Sequence, residues 1–296
     1  DIDTVSDAVT RLIDYNPDIF WVEDVSTVYD GTNTTVTLGI LNNYDTNTLK
    51  KMSDELGAKT YSILHQIPED YSDYDKMLYI HDYLVNNTEY DTAGFEAGVS
   101  GTWSTVYGCL VQGMATCLGY SKAFQYLMMQ LGIESGICYG ESYTGILHSW
   151  NYVCLNKKYY WVDVTWDDPT SETGDSNKLR HTYFLINDNL LKRTRTFSDK
   201  NNLWIPTCSS FDDNYFSKNG SYLVRYKLED IDNILYAHAQ DDSVEIMFAT
   251  ESLYNLALNK LFNENEIWNT KFFQDSQSSI SYSTDDKMYT LTFNLK

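Results

Sequence analysis

The apolar residues change period several times along the chain, and each change marks an element. Ala8, Leu12 and Ile13 fall at helical spacing; Pro17 ends that run, and the aromatic stretch Ile19-Phe20-Trp21-Val22 follows. Asp30-Gly31 is a hairpin turn signal, and Thr35 to Ile40 alternates as a strand does. Near Asp45 the period lengthens again, predicting a helix from about Thr46 to Gln66 with Leu49, Met52, Leu56 and Ile63 on its apolar side and Pro68 closing it. Ser72 is placed to cap a second helix through about Asn86 that carries Tyr74, Met77, Leu78, His81 and Leu84. His81, on the apolar stripe, reads as a core histidine. The run 91–107 is rich in Gly, Ser and Thr and reads as a loop.

Helical spacing returns at Leu118, Phe124, Leu127, Met128 and Leu131, so a helix starts near Cys117 and stops at Gly132. Two aromatic and β-branched runs follow, Leu147 to Leu155 and Tyr159 to Thr165, with Asn156-Lys157-Lys158 between them, and they read as a hairpin. With Asn156 and Lys157 as a two-residue turn, paired positions sum to 313, setting His148 opposite Thr165 and Asp163 diagonal to His148 on the same face. Beyond about Lys200 come strand-like pieces at Tyr222 to Tyr226 and Ser243 to Ala249, then a helix at about Leu253 to Phe262. Two further strands, Ser279 to Ser283 and Lys287 to Asn294, flank Asp285-Asp286. The class is α+β, divided as an N-terminal helix-plus-hairpin segment 1–45, a core 46–200 and a small α+β domain 201–296.

Composition narrows the function. A formal charge of −21 makes the electrostatic term toward nucleic acid or an anionic membrane repulsive, so neither is expected as a partner, whereas cationic or lysine-bearing partners suit it. No run approaches the ~18 apolar residues that a membrane span needs. The chain opens on Asp1-Ile2-Asp3 with no basic or apolar leader, so any export signal is expected to have been removed or never to have existed. Five cysteines, at 109, 117, 138, 154 and 208, form no zinc spacing. Cys109, Cys138, Cys154 and Cys208 are left either as two disulfides of open connectivity or as buried thiols. With five scattered histidines and no His-Glu-x-x-His, no metal and no cofactor is expected; His181 and His238 read as isolated structural or exposed residues. The acids Asp167, Asp168, Glu172 and Asp175 lack an Asp-x-Asp-x-Asp-Gly pattern and read as a solvated loop.

The candidate chemistry is a thiol, an imidazole and a carboxylate in one segment. At a helix start, Cys117 meets unpaired backbone N–H groups and the positive end of the helix dipole, both of which favour thiolate. Asp163 beside His148 would hold one ring nitrogen as N–H and leave the other to take the thiol proton. The backbone N–H of Cys117 is one oxyanion donor; Gln112 is the first choice for a second, with Trp103 and Tyr107 as alternatives. Trp150 and Trp166 read as packing around the hairpin that also walls a groove.

These residues carry a resemblance. Gly-x-x-x-Cys-x-Gly-Tyr-Ser-x-Ala-Phe from Gly113, His-x-Trp-Asn from His148, and Tyr-Tyr-x-Val-Asp-Val-Thr-Trp-Asp-Asp-Pro from Tyr159 resemble the transglutaminase-like core of bacterial proteins, a branch of the papain-like cysteine enzymes. The likeness runs from about Tyr71 to Phe197 and includes Ile80-His81-Asp82-Tyr83-Leu84, Glu89-Tyr90-Asp91, Tyr183-Phe184-Leu185 and Asp188. It implies a cysteine-bearing helix packed on an antiparallel sheet that bears His and Asp, with Cys117 as nucleophile, His148 as general base and Asp163 as its orienting group. It implies a bacterial secreted or cell-surface protein acting on a protein or peptide substrate. The family mixes peptidases, acyltransferases and inactive members, so the alternative is a non-catalytic binding or adhesion module on the same fold. Eukaryotic members of the wider family use calcium.

Overall fold

A computed structural model describes residues 2–98, 101–168, 179–198, 202, 204–276 and 281–295. Helix α1 (Ile2–Asp14) leads into the hairpin β1 (Val22–Tyr29) and β2 (Thr34–Ile40). Helix α2 (Thr46–Leu64) starts where the Asp45 carboxylate accepts the Thr48 N–H at 2.8 Å. Helix α3 (Asp73–Asn87) starts on a capping box: the Ser72 hydroxyl accepts the Asp75 N–H, and the Asp75 carboxylate accepts the Ser72 N–H. The stretch 91–107 expected to be a loop instead holds a short helix, α4 (Thr92–Ala97), and a 3-10 turn at Thr102–Ser104, and a wide helical turn follows at Gly108–Gln112. Asp91 caps α4 by accepting the Gly94 N–H at 2.7 Å, local side-chain chemistry that outweighs the helix-poor composition. The short parallel strands β3 (Glu89–Tyr90) and β4 (Met114–Ala115) then deliver the chain to helix α5 (Cys117–Gln130).

Helix α5 packs on α3 and on a four-stranded sheet of order β7-β6-β5-β8. Its strands are β5 (Ser135–Ser142), β6 (Leu147–Leu155), β7 (Lys158–Val162) and β8 (Arg195–Phe197), the last following a short helix, α6 (Asp188–Leu191). Asn156 and Lys157 both have positive φ, 53° and 64°, which is the two-residue turn whose twist suits a hairpin. Pairs such as Tyr152↔Trp161 and Leu155↔Lys158 follow the predicted register. The expected pairing of His148 with Thr165 is not made. β7 stops at Val162, the chain turns over 163–168 on the bonds Trp166 N–H to Asp163 O and Asp167 N–H to Asp163 O, and His148 pairs with Gly140 instead. A Cβ at Gly140 would sit 1.8 Å from the Thr196 oxygen, so only glycine lets β8 approach β5 this closely.

The C-terminal part adds α7 (Tyr215–Lys218), β9 (Tyr222–Leu223), α8 (Leu228–Ala237), β10 (Ser243–Phe248), α9 (Glu251–Leu258), α10 (Lys271–Ser276), β11 (Ser281–Asp285) and β12 (Thr290–Asn294), with a second sheet of order β11-β12-β10-β9. Helices α8 and α10 had no sequence-level expectation; Ser279, expected to open a strand, lies outside the described residues.

Three apolar clusters hold these layers. One joins Phe20 and Leu41 to Met52, Ile63, Ile80, Phe124, Leu127 and Val162. A second lies within the C-terminal part around Ile231, Ile246, Leu261 and Phe293. A third lies at the back of the hairpin, where Trp150, Trp161 and Leu191 meet Phe216, Met247 and Met288. Fully burying one such large side chain contributes about 1.5–3 kcal/mol.

One open alternative closes and one surface expectation is overturned. All five cysteines are free thiols, so the two-disulfide alternative is absent. Glu172 and Asp175 lie outside the described residues, but Asp167 and Asp168 are buried rather than solvated. The Asp167 carboxylate accepts the Tyr183 N–H, and Asp168 accepts the Tyr120 hydroxyl at 2.5 Å; buried carboxylates persist only with such donors. Among the described residues, no helix is long and apolar enough to cross a membrane.

Candidate active site

Cys117 is the first residue of α5, with Thr116 as its N-cap. Gly119 lets the helix start sit against the chain at Trp103, since a Cβ there would lie 2.4 Å from the Trp103 oxygen; the Thr116 N–H donates to that oxygen at 2.9 Å. His148, near the start of β6, comes to the thiol from the sheet, and the two residues line the same cleft. The His148 Nε2 engages Asp163 Oδ2 at 2.7 Å, which leaves the other ring nitrogen for the sulfur. Although β7 ends before Asp163, the 163–168 turn carries that carboxylate to the imidazole. The structure therefore brings Cys117, His148 and Asp163 together at one edge of the sheet.

Two participants carried no sequence-level expectation. Arg195, on β8, donates from Nε at 3.0 Å and from Nη2 at 2.5 Å to Asp163 Oδ2, and lies 3.7 Å over the Trp166 ring. Ser149, beside His148 on β6, lines the same cleft as Cys117 and helps to lower its thiol, while its hydroxyl lies 3.2 Å from that of Ser121. Nothing local singles out Arg195: it lies 32 positions beyond Asp163, and only the pairing Ser142↔Arg195 brings it back.

The electrostatics follow from burial and partners. Burial alone would raise the Asp163 carboxyl, but the charges of His148 and Arg195 outweigh it and hold the group below the ordinary carboxylate range. Burial alone would lower His148, yet the Asp163 charge and hydrogen bond, with the contact to Cys117, push it up to about 9. Burial opposes the Cys117 thiolate, but its bond to His148 and the charge of that ring lower the thiol below its ordinary value. A thiolate–imidazolium pair is the state this arrangement favours.

The pair opens onto a cleft of about 430 Å³ lined in part by Phe95, Leu118, Glu141, Leu147 and Phe197. Phe95 and Leu147 on its rim are solvent-exposed. The residues expected to line the site lie elsewhere. Gln112 is exposed at the end of its wide turn and is not among the residues that line the cleft. Trp103 packs on Gly94 and Gly101, and Tyr107 stacks on Phe20 at 5.6 Å and donates to Glu55 at 2.6 Å. Trp150 is fully buried, stacked 5.9 Å from His148 as a backing rather than a wall. Trp166 lies between Arg195 and Tyr143, and Asp188 accepts the Trp161 indole N–H at 2.8 Å.

Residues 62–166 match the family model described as the transglutaminase-like superfamily. No curated protein matches the chain. Among solved structures, the chain is similar to a TGase, with 16% identity over 54% of this chain and 46% of that one at a TM-score of 0.36. It is also similar to a candidate cysteine protease from Cytophaga hutchinsonii, with 15% identity over 48% of this chain and 61% of that one at a TM-score of 0.31. An arylamine N-acetyltransferase from Bacillus cereus with a Cys-His-Glu catalytic triad matches at 13% identity over 37% and 48% of the two chains, at a TM-score of 0.31. The chain thus covers between 46% and 61% of the lengths of these three proteins.

Proposed function

Because the chain carries a transglutaminase-like superfamily domain over residues 62–166, we propose that it is a cysteine-dependent enzyme of acyl chemistry acting on protein or peptide amides. The observation that carries the proposal is the Cys117 thiol at a helix start, paired with an imidazole whose far nitrogen is fixed by a buried, ionised Asp163. In this reading the Cys117 sulfur attacks the amide carbonyl and the oxyanion takes a hydrogen bond from the Cys117 N–H. The His148 imidazolium then gives its proton to the departing amine as the C–N bond breaks, leaving a thioester on Cys117. Deacylation adds water or an amine across the thioester, and the proton returns through His148. The cleft above the buried thiol has an exposed rim at Phe95 and Leu147 and is not a closed tunnel, which favours hydrolysis over transfer to lysine, and so a peptidase or amidase. The apolar lining suits an extended peptide with an apolar side chain beside the scissile amide.

A panel of fluorogenic peptides, run with and without a lysine-mimicking amine, tests the proposal. The wild type should release amine, a Cys117→Ala variant should lose turnover, and added amine should not be incorporated. Equal turnover in Cys117→Ala would overturn the cysteine mechanism, and no wild-type turnover with a thiol that alkylates no faster than free cysteine would overturn it in favour of a binding module.

A further inference from the structure

His81 and His181 are 100 positions apart, and neither touches the cleft, yet the fold brings them together around one carboxylate. His81 Nδ1 lies 2.9 Å from Asp82 Oδ1, and His181 Nε2 lies 3.1 Å from the same oxygen. These three donor atoms all lie within 4.8 Å of one another. Each ring is gripped from behind by a buried carboxylate: His81 Nε2 by Asp167 at 3.1 Å and His181 Nδ1 by Glu245 at 2.8 Å. Tyr215 stacks on His181 at 3.8 Å and fixes the plane of that ring.

We propose that His81, Asp82 and His181 form a binding site for a divalent transition-metal ion of the zinc class. Two imidazole nitrogens and one carboxylate oxygen form a recurrent three-ligand set, and a buried carboxylate behind each ring is the outer shell such ligands use to fix orientation and basicity. A tetrahedral Zn²⁺ with bonds of roughly 2.0–2.2 Å needs neighbouring donors roughly 3.3–3.6 Å apart, so the two short separations open by a few tenths of an ångström and the two ring nitrogens, within 4.8 Å of each other, settle to the same spacing. Asp82 can make that adjustment because its side chain is 31% exposed, whereas both histidines are buried. It faces a second cleft of about 670 Å³, lined also by Tyr215, His238 and Asp241, from which water can supply a fourth ligand.

The ion would act as a staple. It would join α3, through His81 and Asp82, to the 179–186 segment through His181, while Glu245 brings in β10 of the C-terminal sheet. Asp167, which holds His81, belongs to the same turn as Asp163, so the staple would also brace the carboxylate side of the active site.

The test uses the full chain carrying Cys117→Ala, because the active-site thiol and imidazole are themselves a zinc trap. After chelator treatment, titration calorimetry with Zn²⁺ should give one equivalent bound at a Kd on the order of 1 µM or tighter. Co²⁺ should give the visible absorption of a tetrahedral nitrogen–oxygen site without a thiolate band. Adding Asp82→Asn or, separately, Glu245→Gln should weaken Zn²⁺ binding roughly 10–100-fold, and Zn²⁺ should raise the Tm of the Cys117→Ala chain but not that of the doubly substituted ones. Two variants are used so that loss of folding in one leaves the other to decide. No stoichiometric binding to Cys117→Ala, or undiminished binding in a folded Asp82→Asn or Glu245→Gln chain, would overturn the proposal.

Discussion

Replacing Asp163 with asparagine keeps the size of the side chain and removes the charge that sets the protonation of the active-site pair. His148 is held at about 9 against an ordinary 6.5, in spite of burial, and the Asp163 charge is the largest attraction responsible. That elevation corresponds to about 3 kcal/mol in favour of the imidazolium. Arg195 works in the opposite direction on His148, so an uncharged partner at 163 would leave the ring with an unfavourable cation and only Cys117 to favour its charged form. Cys117 is lowered chiefly through His148; its thiolate exists above that depressed pKa and is lost as pH falls through it, while the imidazolium persists until pH rises through about 9. Asp163→Asn should close this window. The rate of iodoacetamide capture by Cys117 at about pH 6.5 should fall on the order of 10²-fold, and the rate should climb through alkaline pH where the wild type has already levelled. Mass spectrometry identifies the site, since burial pushes Cys109 and Cys138 up to about 12 and half-buried Cys154 is also raised. A folded Asp163→Asn chain that alkylates at the wild-type rate near neutrality would refute this account of the pair.

Two further outcomes probe the scaffold. Arg195→Met keeps a long chain over Trp166 but strips Asp163 of two donors, and breaking a buried pair in this way should cost about 3–5 kcal/mol and lower Tm by roughly 5–8 °C in calorimetry. A loss below about 1 kcal/mol would mean that the carboxylate does not depend on the guanidinium. Gly140→Ala drives a methyl group into the Thr196 oxygen and the Trp150 ring, so it should destabilise by about 2–3 kcal/mol on urea denaturation and slow Cys117 alkylation by displacing β8; an unchanged midpoint would contradict the close approach of β5 and β8.

What could be read from sequence was local. The Asn156-Lys157 turn fixed the hairpin register, and helical spacing after Cys117 fixed the start of α5. The expected partner of His148 across the ladder failed because a turn, not a strand, follows Val162, although Asp163 reaches the imidazole all the same. Arg195, Ser149 and the His81–His181 arrangement were hidden because their meaning comes from contacts across the fold. His181 Nδ1 meets Glu245 across 64 positions, and no spacing rule links those residues. Asp167 and Asp168 looked like surface acids because the donors that justify their burial, on Tyr183, His81 and Tyr120, are distant in sequence or follow a chain reversal.

The seam of large rings and methionines behind the hairpin bears on how the chain can be handled. A fragment cut after residue 200 would strip Phe216, Met247 and Met288 from around Trp150 and Trp161, baring aromatic surface directly behind His148. Such a fragment would tend to self-associate, and its imidazole would rest on a loosened backing. Trimming the chain to its motif-bearing portion would therefore discard part of what keeps the reactive ring in place.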